Sequence, residues 1–437
     1  MSVRFDVEPA TTRKVFVSLF AGFLMILLGG NVAHASTDAI DKVDTLWVII
    51  STALVMFMTP GLALFYAGMA RKKNVLGTIM HSFFILCLIS VQWVLWGYTL
   101  SFGEDVAGII GGLEYLFLNG VGTEPNGTIP HLVFMMFQGM FAVITVALIT
   151  GGFAERVKFS AVVLFSLLWA TLVYNPLCHW VWGGGWLGEL GVLDFAGGIV
   201  VHMSCGISAL VAAIMIGSRR GYPREPMPPH NLALTVTGMA ILWFGWFGFN
   251  AGSALAVDDV AINAFIVTNT AASVGAITWL FIEWFHRGRP TLLGAVSGAV
   301  AGLGSITPAA GFVGLGSSII IGFVGGVLCY WAVIVLKPRL GYDDSLDVFG
   351  IHGVGGTWGT LAIGLFGSIG TQGVFFGGTS QLVSQLIGIG VTVALSVIGT
   401  AIIIKIVDVL CGGFRVSEEE ELEGLDLSQH GESGYIW

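Results

Sequence analysis

Two histidines stand inside long uncharged stretches, where an ionisable side chain is costly unless it has a task. His202 follows the run Leu193–Gly197, and His352 follows the similar run Leu346–Gly350. In a membrane helix such groups usually face the interior of a bundle or a cavity. Burial disfavours the imidazolium, so both rings are expected to be neutral, with one donor and one acceptor nitrogen each. Facing each other, they would line a narrow path for a small hydrogen-bonding molecule. The alternative is that each is a packing residue bonded to a backbone carbonyl.

Three aromatic rings and a hydroxyl form a second group of candidate residues. Phe141, Trp182, Phe249 and Ser253 fall toward the same predicted side of the membrane. An aromatic face attracts a cation by up to ~2 kcal/mol when the ion is desolvated, and a hydroxyl oxygen can accept a hydrogen bond from it. A cation site is one interpretation, and an aromatic belt at the membrane–water interface is the other. Asp194 is either the N-cap of the helix that carries His202 or an acid that supports the cation site.

The sequence contains no pattern that predicts an enzyme, a cofactor site or a metal site. The five cysteines are scattered without a CxxC pair. There is no P-loop, no HExxH and no GxSxG in a strand–helix context. A net charge of −9 argues against nucleic-acid binding. We therefore expect a non-enzymatic protein without cofactor or metal.

The elements that position these residues are helices in lipid. The chain is 55% hydrophobic and only 10% charged, whereas about 25% of a soluble domain is charged. A span of the ~30 Å hydrocarbon core needs about 20 apolar residues. The pattern predicts an all-α polytopic fold with eleven transmembrane helices. The charge-free stretches cover residues 45–70, 74–102, 125–154, 159–188, 195–218, 226–257, 261–282, 290–336 (broken near 304–316) and 348–404 (broken near 367–380).

Charge and apolar patterning predict the orientation and the processing of the chain. The basic residues after Lys42 fall at alternate helix ends, and the opposite loops hold only acids, so the basic side is expected to be cytoplasmic. Residues 1–35 resemble a secretory signal, with the apolar run Val15–Leu28 before Ala33–Ala35. An uncleaved anchor is the alternative. Residues 36–410 would form the membrane domain, with the mature N-terminus outside. Residues 411–437 would form a cytoplasmic tail.

The two histidine segments predict an internal repeat. They lie five helices apart, an odd number, so the two halves would be inverted, with the eleventh helix at the C-terminal end. Transporters often place their pathway at such a repeat interface. The match is imperfect, since Asp194 precedes His202 by eight residues and Asp347 precedes His352 by five. Asp347 is expected to cap its helix.

Several of these segments, in this order, resemble the Amt/MEP/Rh family of ammonium transporters, on the bacterial Amt side. The resemblance runs from Thr45 to Tyr435. It implies an inverted five-plus-five repeat with an additional helix, a homotrimer with one pore per subunit, and a PII-type regulatory protein at the cytoplasmic face. The segments that carry it are Pro60–Tyr66, Leu193–His202, Gly245–Ala254, Asp347–Gly353 and His430–Glu432.

The resemblance also implies roles for individual residues. Phe141, Trp182 and Ser253 would form an outer ammonium site, with Asp194 in support. Phe141 and Phe249 would stack as a gate below it, and His202 and His352 would be the twin histidines of the pore. The acidic tail, with Arg415 against seven acids from Gly412 onward, would be regulatory.

The resulting expectation is a transporter that imports ammonium, with methylammonium as an analogue, across the bacterial cytoplasmic membrane. One alternative is an ammonium sensor that signals through its cytoplasmic tail. Another is a sodium-coupled transporter of a different solute, which usually needs broken helices with carboxylates at the midplane. The sequence offers no such carboxylate, and a flux assay separates the first two.

Overall fold

The protein forms a bundle of long apolar helices. The computed structural model describes residues 40–435, so the predicted signal segment 1–35 and Ser36 lie outside the described residues. Within residues 40–435, nine helices are long and apolar enough to cross a membrane. The helices are α1 Lys42–Met69, α2 Lys72–Phe102, α3 His131–Phe153, α4 Phe159–Glu189, α5 Gly198–Ile216, α6 Leu232–Ala254, α7 Asp259–Arg287, α8 Leu292–Ile306, α9 Leu315–Leu340, α10 at 349–366, α11 Ser380–Leu410, α12 Glu418–Glu423 and α13 Leu425–His430.

The predicted interruptions inside the two double-length stretches are confirmed. Helix α8 ends at Ile306 and α9 begins at Leu315. Helix α10 ends at Phe366 and α11 begins at Ser380. Glycine and proline disfavour continued helix, and the polar residues between them favour turns, which is why the breaks could be predicted. Helix α8 has 15 residues and is shorter than the nine helices that are long and apolar enough to cross a membrane within residues 40–435.

Two helices begin later than the charge-free stretches that contain them. The third helix begins at His131 rather than at residue 125, because Pro125–Asn126 and Ile129–Pro130 pair as a small antiparallel ribbon. The sixth begins at Leu232, since the Asn231 side chain accepts the amide of Leu234 and fixes the first turn there. Apolar character alone cannot separate these flanking segments from the helix, because both lie in charge-free sequence.

The helices pack closely against one another at glycine residues. A Cβ atom added at Gly245 would lie 2.2 Å from the Cγ of Met58, so α6 can approach α1 this closely only without a side chain there. A Cβ at Gly302 would lie 2.2 Å from the carbonyl oxygen of Ala271, which sets the same limit for α8 and α7. Lipid does not drive helices together, so close van der Waals contact at small residues stabilises such bundles.

One end of the bundle, called here the basic end, carries most of the lysines and arginines together with the C-terminal segment. Helices α12 and α13 lie against the start of α2. The Lys73 ammonium donates to the carbonyl oxygens of Glu421 and Leu422, at 2.9 and 2.6 Å. The Asp426 carboxylate accepts the amide of Gly77 at 2.8 Å. The predicted tail is therefore docked on its own chain as far as Tyr435, the last described residue.

Candidate functional site

The two predicted histidines meet face to face in the middle of the bundle. The Nδ1 atoms of His202 and His352 lie 3.1 Å apart, and the rings are nearly parallel, with centroids separated by 5.1 Å. Both side chains are buried. A hydrogen bond between two Nδ1 atoms requires a proton on one and a lone pair on the other. In a neutral pair, one Nε2 is then an acceptor and the other a donor. Among the described residues, His202 Nε2 has no partner.

Glycines at the crossing of α5 and α10 allow this approach. A Cβ added at Gly206 would lie 2.2 Å from the backbone nitrogen of Gly353. A Cβ at Gly356 would lie 2.9 Å from the Cβ of His202. Both helices also begin with a π-helical turn that contains the histidine, at Gly198–Met203 and Phe349–Gly353. Such wide turns are frequent at functional positions.

Asp194 caps the start of α5 with both carboxylate oxygens. Oδ1 accepts the amides of Gly197 and Gly198 at 2.8 and 2.7 Å. Oδ2 accepts those of Ile199 and Val200 at 2.7 and 3.0 Å. Four amides on one buried carboxylate hold the helix that presents His202. The direct contacts of the Asp194 carboxylate are therefore those of a helix cap.

The expectation that Asp347 caps α10 was wrong. Its carboxylate pairs with Lys337 at 2.6 Å, and its backbone is left-handed with φ 61°. Asp344 takes the capping role, because its Oδ2 accepts the amide of Phe349 at 2.8 Å. Asp344 precedes His352 by eight residues, the same spacing that separates Asp194 from His202. The apparent mismatch between the two histidine segments came from comparing Asp194 with the wrong aspartate.

A continuous column of rings leads from the bundle surface to the histidines. Trp182 lies edge-on to Phe141, with centroids 6.0 Å apart. Phe141 and Phe249 follow at 4.4 Å, and Phe249 then stacks on His202 at 5.9 Å. Trp182 is half-buried, whereas both phenylalanines are fully buried. The column therefore fills the space between the bundle surface and the histidine pair.

Two hydrogen bonds fix the outer part of this column. The Trp182 indole donates to the backbone carbonyl of Asp194 at 2.7 Å. The Ser253 hydroxyl donates to the carbonyl of Phe249 at 2.8 Å. Since that proton is used, the remaining lone pairs of the Ser253 oxygen are oriented to accept. Asp194 therefore contacts the ring column through its backbone carbonyl, while its carboxylate caps α5.

The cavity at the histidine pair, called here the lumen, is almost entirely apolar. The Trp246 ring also stacks on His202, with centroids 5.4 Å apart, and lies beside Phe249, 5.7 Å away. The Trp246 indole donates to the Thr307 hydroxyl at 2.8 Å. The sequence analysis did not assign Trp246 a role, although it stands three residues before Phe249. The narrow cavity is lined by Met58, Leu62, Phe65, Ile144, Leu148, Val201, His202, Leu242, Trp246, Phe249, Val300 and His352.

The fold and this apolar lumen are those of a multi-pass membrane transporter. A family model described as the Ammonium Transporter Family matches residues 46–435. The chain belongs to the ammonium transporter family, for which ammonium is the expected substrate, as the sequence resemblance had indicated.

Related proteins carry the same description. The chain is 54% identical over 400 residues to an ammonium transporter of Bacillus subtilis, covering 90% of this chain and 98% of the relative. It is 51% identical to the ammonium transporter Amt1 of Archaeoglobus fulgidus, covering 89% of this chain and 98% of the relative. An ammonium transporter of Aquifex aeolicus is 47% identical, with 95% and 99% covered.

Solved structures share the fold. Mep2 of Saccharomyces cerevisiae superposes with a TM-score of 0.83 at 37% identity, covering 88% of this chain and 89% of that one. A structure described as a sensor Amt protein superposes with a TM-score of 0.84 at 30% identity, covering 89% and 98%.

Proposed function

We propose that this ammonium transporter imports ammonium through the lumen between Trp182 and His352. The observation that carries the proposal is the unbroken column of rings ending at two histidines joined through their Nδ1 atoms. Ammonium cannot cross ~30 Å of hydrocarbon unaided. A path that recruits the cation outside and passes a hydrogen-bonding molecule inside meets that need.

Recruitment belongs to the half-buried outer end of the column. Phe141 and Trp182 offer aromatic faces to a cation, and the Ser253 oxygen offers an acceptor. Asp194 supports this site indirectly, because its backbone carbonyl holds the Trp182 indole. Its carboxylate is engaged by four helix amides and is not proposed to touch the substrate.

Phe141 and Phe249 act as the gate below the outer site. Their rings are buried and in contact, so a hydrated ion cannot pass without displacing them. The apolar lumen disfavours charge, and the proton is separated from ammonia before or at the histidines. Within the pair, one Nε2 accepts from an N–H and the other donates to a nitrogen lone pair. Potassium has no N–H to donate and no proton to lose, so it is excluded.

The same proposal covers topology, assembly and partners. Eleven membrane crossings form an inverted five-plus-five repeat with a final helix. In a bacterial inner membrane they place the mature N-terminus outside and the basic end on the cytoplasmic side. The equal eight-residue spacing at Asp194 and Asp344 supports the repeat. We further propose a homotrimer, with a PII-type protein binding at the basic end and residues 1–35 acting as the export signal.

A sensor remains the second candidate function. It is favoured by the similarity to the structure described as a sensor Amt protein, at 30% identity, and by the docked C-terminal segment. The higher identities, from 44% to 54%, are to proteins named ammonium transporters. A sensor with little flux would bind ammonium at the outer site without passing current.

The test is ammonium flux through purified protein in liposomes, with ammonium-evoked and potassium-evoked currents recorded. His202→Ala and His352→Ala each remove one imidazole of the pair that lines the lumen. Leaving a polar substrate unpaired there costs on the order of 2–7 kcal/mol. Ammonium flux should collapse in both variants, or the lumen should hydrate and admit potassium.

His286→Ala serves as the control, because that ring bonds the Tyr330 hydroxyl and neither residue lines the lumen. It should leave flux and potassium exclusion intact. Normal ammonium flux with intact potassium exclusion in both lumen variants would show that the histidines are packing residues. Ammonium binding without flux in the unchanged protein would favour the sensor.

A further inference from the structure

His179 lies on α4, three residues before Trp182, and does not line the lumen. Its side chain is fully buried. Its Nδ1 atom lies 3.1 Å from the backbone carbonyl oxygen of Ser101, at the end of α2. Its Nε2 atom lies 2.8 Å from Oδ1 of Asp105, in the loop that follows α2. The ring therefore joins the helix that presents Trp182 to a neighbouring helix and to the loop after it.

The two oxygens that face the ring of His179 are a backbone carbonyl and a carboxylate. Both have lone pairs but no proton, whereas a neutral imidazole has one N–H and one nitrogen lone pair. A neutral ring would therefore direct a lone pair at one of the two oxygens. Only the imidazolium, with a proton on each nitrogen, donates a hydrogen bond to both.

Asp105 has the contacts of an ionised carboxylate. Its second oxygen, Oδ2, accepts the amide of Gly108 at 2.8 Å, and its side chain is 38% exposed. The hydrogen bond from His179, together with the one from Gly108, holds the pKa of the Asp105 carboxyl below its usual range. A buried charge is tolerated when it is paired and its hydrogen bonds are satisfied. The His179 imidazolium meets both conditions.

Other titratable groups near this end of α4 have different partners. In the part of the chain that the structure describes, Asp105 is the only ion-pair partner of His179. The Tyr98 hydroxyl, one helical turn before Phe102, bonds the ring of His131. Glu189, at the end of α4, is exposed. The charge of His179 is therefore balanced by one carboxylate.

The backbone of His179 also closes the turn that follows Trp182. Its carbonyl oxygen accepts the amides of Gly183 and Gly185, both at 3.0 Å. A Cβ added at Gly183 would lie 2.0 Å from the Ser101 carbonyl oxygen, the same oxygen that accepts the His179 ring. The end of α4 therefore has little room to shift against the end of α2, and the ring fastens the two together.

We propose that His179 is a buried imidazolium and a positioning residue for the outer ammonium site. Bonded to Asp105 and to the Ser101 carbonyl, it fixes the end of α4, so that the Trp182 ring meets the cation in one orientation. His179 does not touch the substrate. The positioning role rests on the proposed function, because it matters only if ammonium binds at Trp182, whereas the protonation of the ring does not depend on transport.

Solid-state NMR of the full-length protein in lipid bilayers, with isotope-labelled histidine, tests the protonation. The His179 signals are those that disappear in His179→Gln. Both ring nitrogens should carry a proton at neutral pH. Asp105→Asn should leave a proton on Nδ1 alone, because the asparagine amide can then donate to Nε2. A single protonated nitrogen in the unchanged protein would overturn the imidazolium, and two in Asp105→Asn would overturn its pairing with Asp105.

The concentration dependence of ammonium flux in liposomes tests the positioning. His179→Gln should raise the half-saturating ammonium concentration about three- to tenfold, because a displaced Trp182 ring loses part of its cation–π contact. The maximal flux should stay the same, since His179 does not line the lumen. Asp105→Asn keeps two hydrogen bonds to the ring, so its half-saturating concentration should stay within about twofold of the unchanged protein.

Glu104→Gln is the matched control, because it removes the same charge as Asp105→Asn from the adjacent, exposed position. It should leave the half-saturating concentration unchanged. If thermal unfolding shows that His179→Gln does not fold, Asp105→Ala replaces it, because it leaves Nε2 without an acceptor and should shift the half-saturating concentration in the same direction.

An unchanged half-saturating concentration in His179→Gln and Asp105→Ala would overturn the positioning role. So would a fall in maximal flux alone, which would indicate a purely structural histidine. If the unchanged protein passed no ammonium, the proposed function would fail and the positioning role with it, while the NMR result on the ring would stand.

Discussion

The Trp182 side chain is held in place by one hydrogen bond and one ring contact. Its indole N–H is bonded to the carbonyl of Asp194, and its ring lies edge-on to Phe141. The ring is half-buried, so one part remains open to the outer surface. An aromatic face held in this way, with its N–H already used, presents mainly its π-surface to an approaching cation.

Replacing this ring should weaken ammonium binding. Trp182→Leu keeps an apolar side chain but removes the π-face, and the loss of a partly desolvated cation–π contact should cost roughly 1–2 kcal/mol, or about 5- to 30-fold in affinity. Calorimetry with ammonium measures it. Trp180→Leu is the matched control, because the Trp180 indole donates to the carbonyl of Ile109 and its ring contacts Trp186 rather than the column. Equal effects of both substitutions would instead favour an interfacial aromatic belt.

At the scale of elements, the two histidine helices begin in related ways but with different electrostatics. Asp194 is satisfied by four amides, whereas Asp344 Oδ1 has no partner in the described residues. Asp344 lies between α9 and α10, outside the membrane spans. Burial raises the pKa of Asp344 to about 6, although Lys337 acts to lower it. Burial also acts to raise the pKa of Asp343, but Arg219 holds it at about 2.

These shifts predict a pH dependence of stability for the start of α10. Because the folded pKa of Asp344 exceeds the unfolded value of about 3.9, its contribution is fully present below pH ~4 and is lost as pH rises through ~6. Asp344→Asn is neutral at every pH. Thermal unfolding in detergent should therefore show the variant gaining stability relative to the unchanged protein between pH 4 and 7. The stabilisation from Asp343, whose folded pKa is lowered, is fully present above pH ~4 and is lost as the pH falls through ~2.

A stability difference between Asp344→Asn and the unchanged protein that stays constant over this range would contradict the raised pKa. Comparing the two proteins at each pH cancels the titration of all other carboxylates, which also changes stability in the same range. The difference, rather than either curve alone, is the quantity to measure.

At the scale of the whole molecule, the C-terminal segment links helices that are far apart in sequence. Glu421 is 2% exposed and accepts Arg415 at 2.6 Å and the amide of Arg220 at 2.8 Å. Lys73 reaches the carbonyl of the same residue from α2. A single buried carboxylate thus lies where α2, the end of α5 and the segment after α11 meet.

Neutralising that carboxylate should loosen the C-terminal segment without unfolding the bundle. Glu421→Gln removes a charge-assisted pair worth about 1–3 kcal/mol, so amide exchange in α12 and α13 should accelerate about tenfold or more. Glu419→Gln, at an exposed position two residues earlier, is the control and should change nothing. Unchanged exchange in Glu421→Gln would show that other contacts hold the segment.

If regulation by a PII-type protein acts through this segment, deleting residues 418–437 should leave ammonium flux intact but alter the inhibition of that flux by the PII-type protein.

Hydropathy and residue type along the chain were enough to predict the class of architecture and the candidate residues. Lipid leaves backbone groups no partner outside the chain, so a long apolar stretch in a membrane protein is a helix, and hydropathy identifies it. Glycine and proline marked the breaks before α9 and α11. His202 and His352 were identifiable because a polar group within such a stretch needs a reason to be there.

How these residues meet could not be predicted and is visible only in the folded protein. The contact between the Nδ1 atoms depends on the close crossing at Gly206 and Gly353, two residues that lie on separate helices. The choice of Asp344 over Asp347 as the cap depends on a left-handed residue and on Lys337 reaching in from α9. Local pattern cannot encode either outcome, because an apolar helix in lipid has no polar face to fix its rotation, and the fit between neighbouring helices sets it instead.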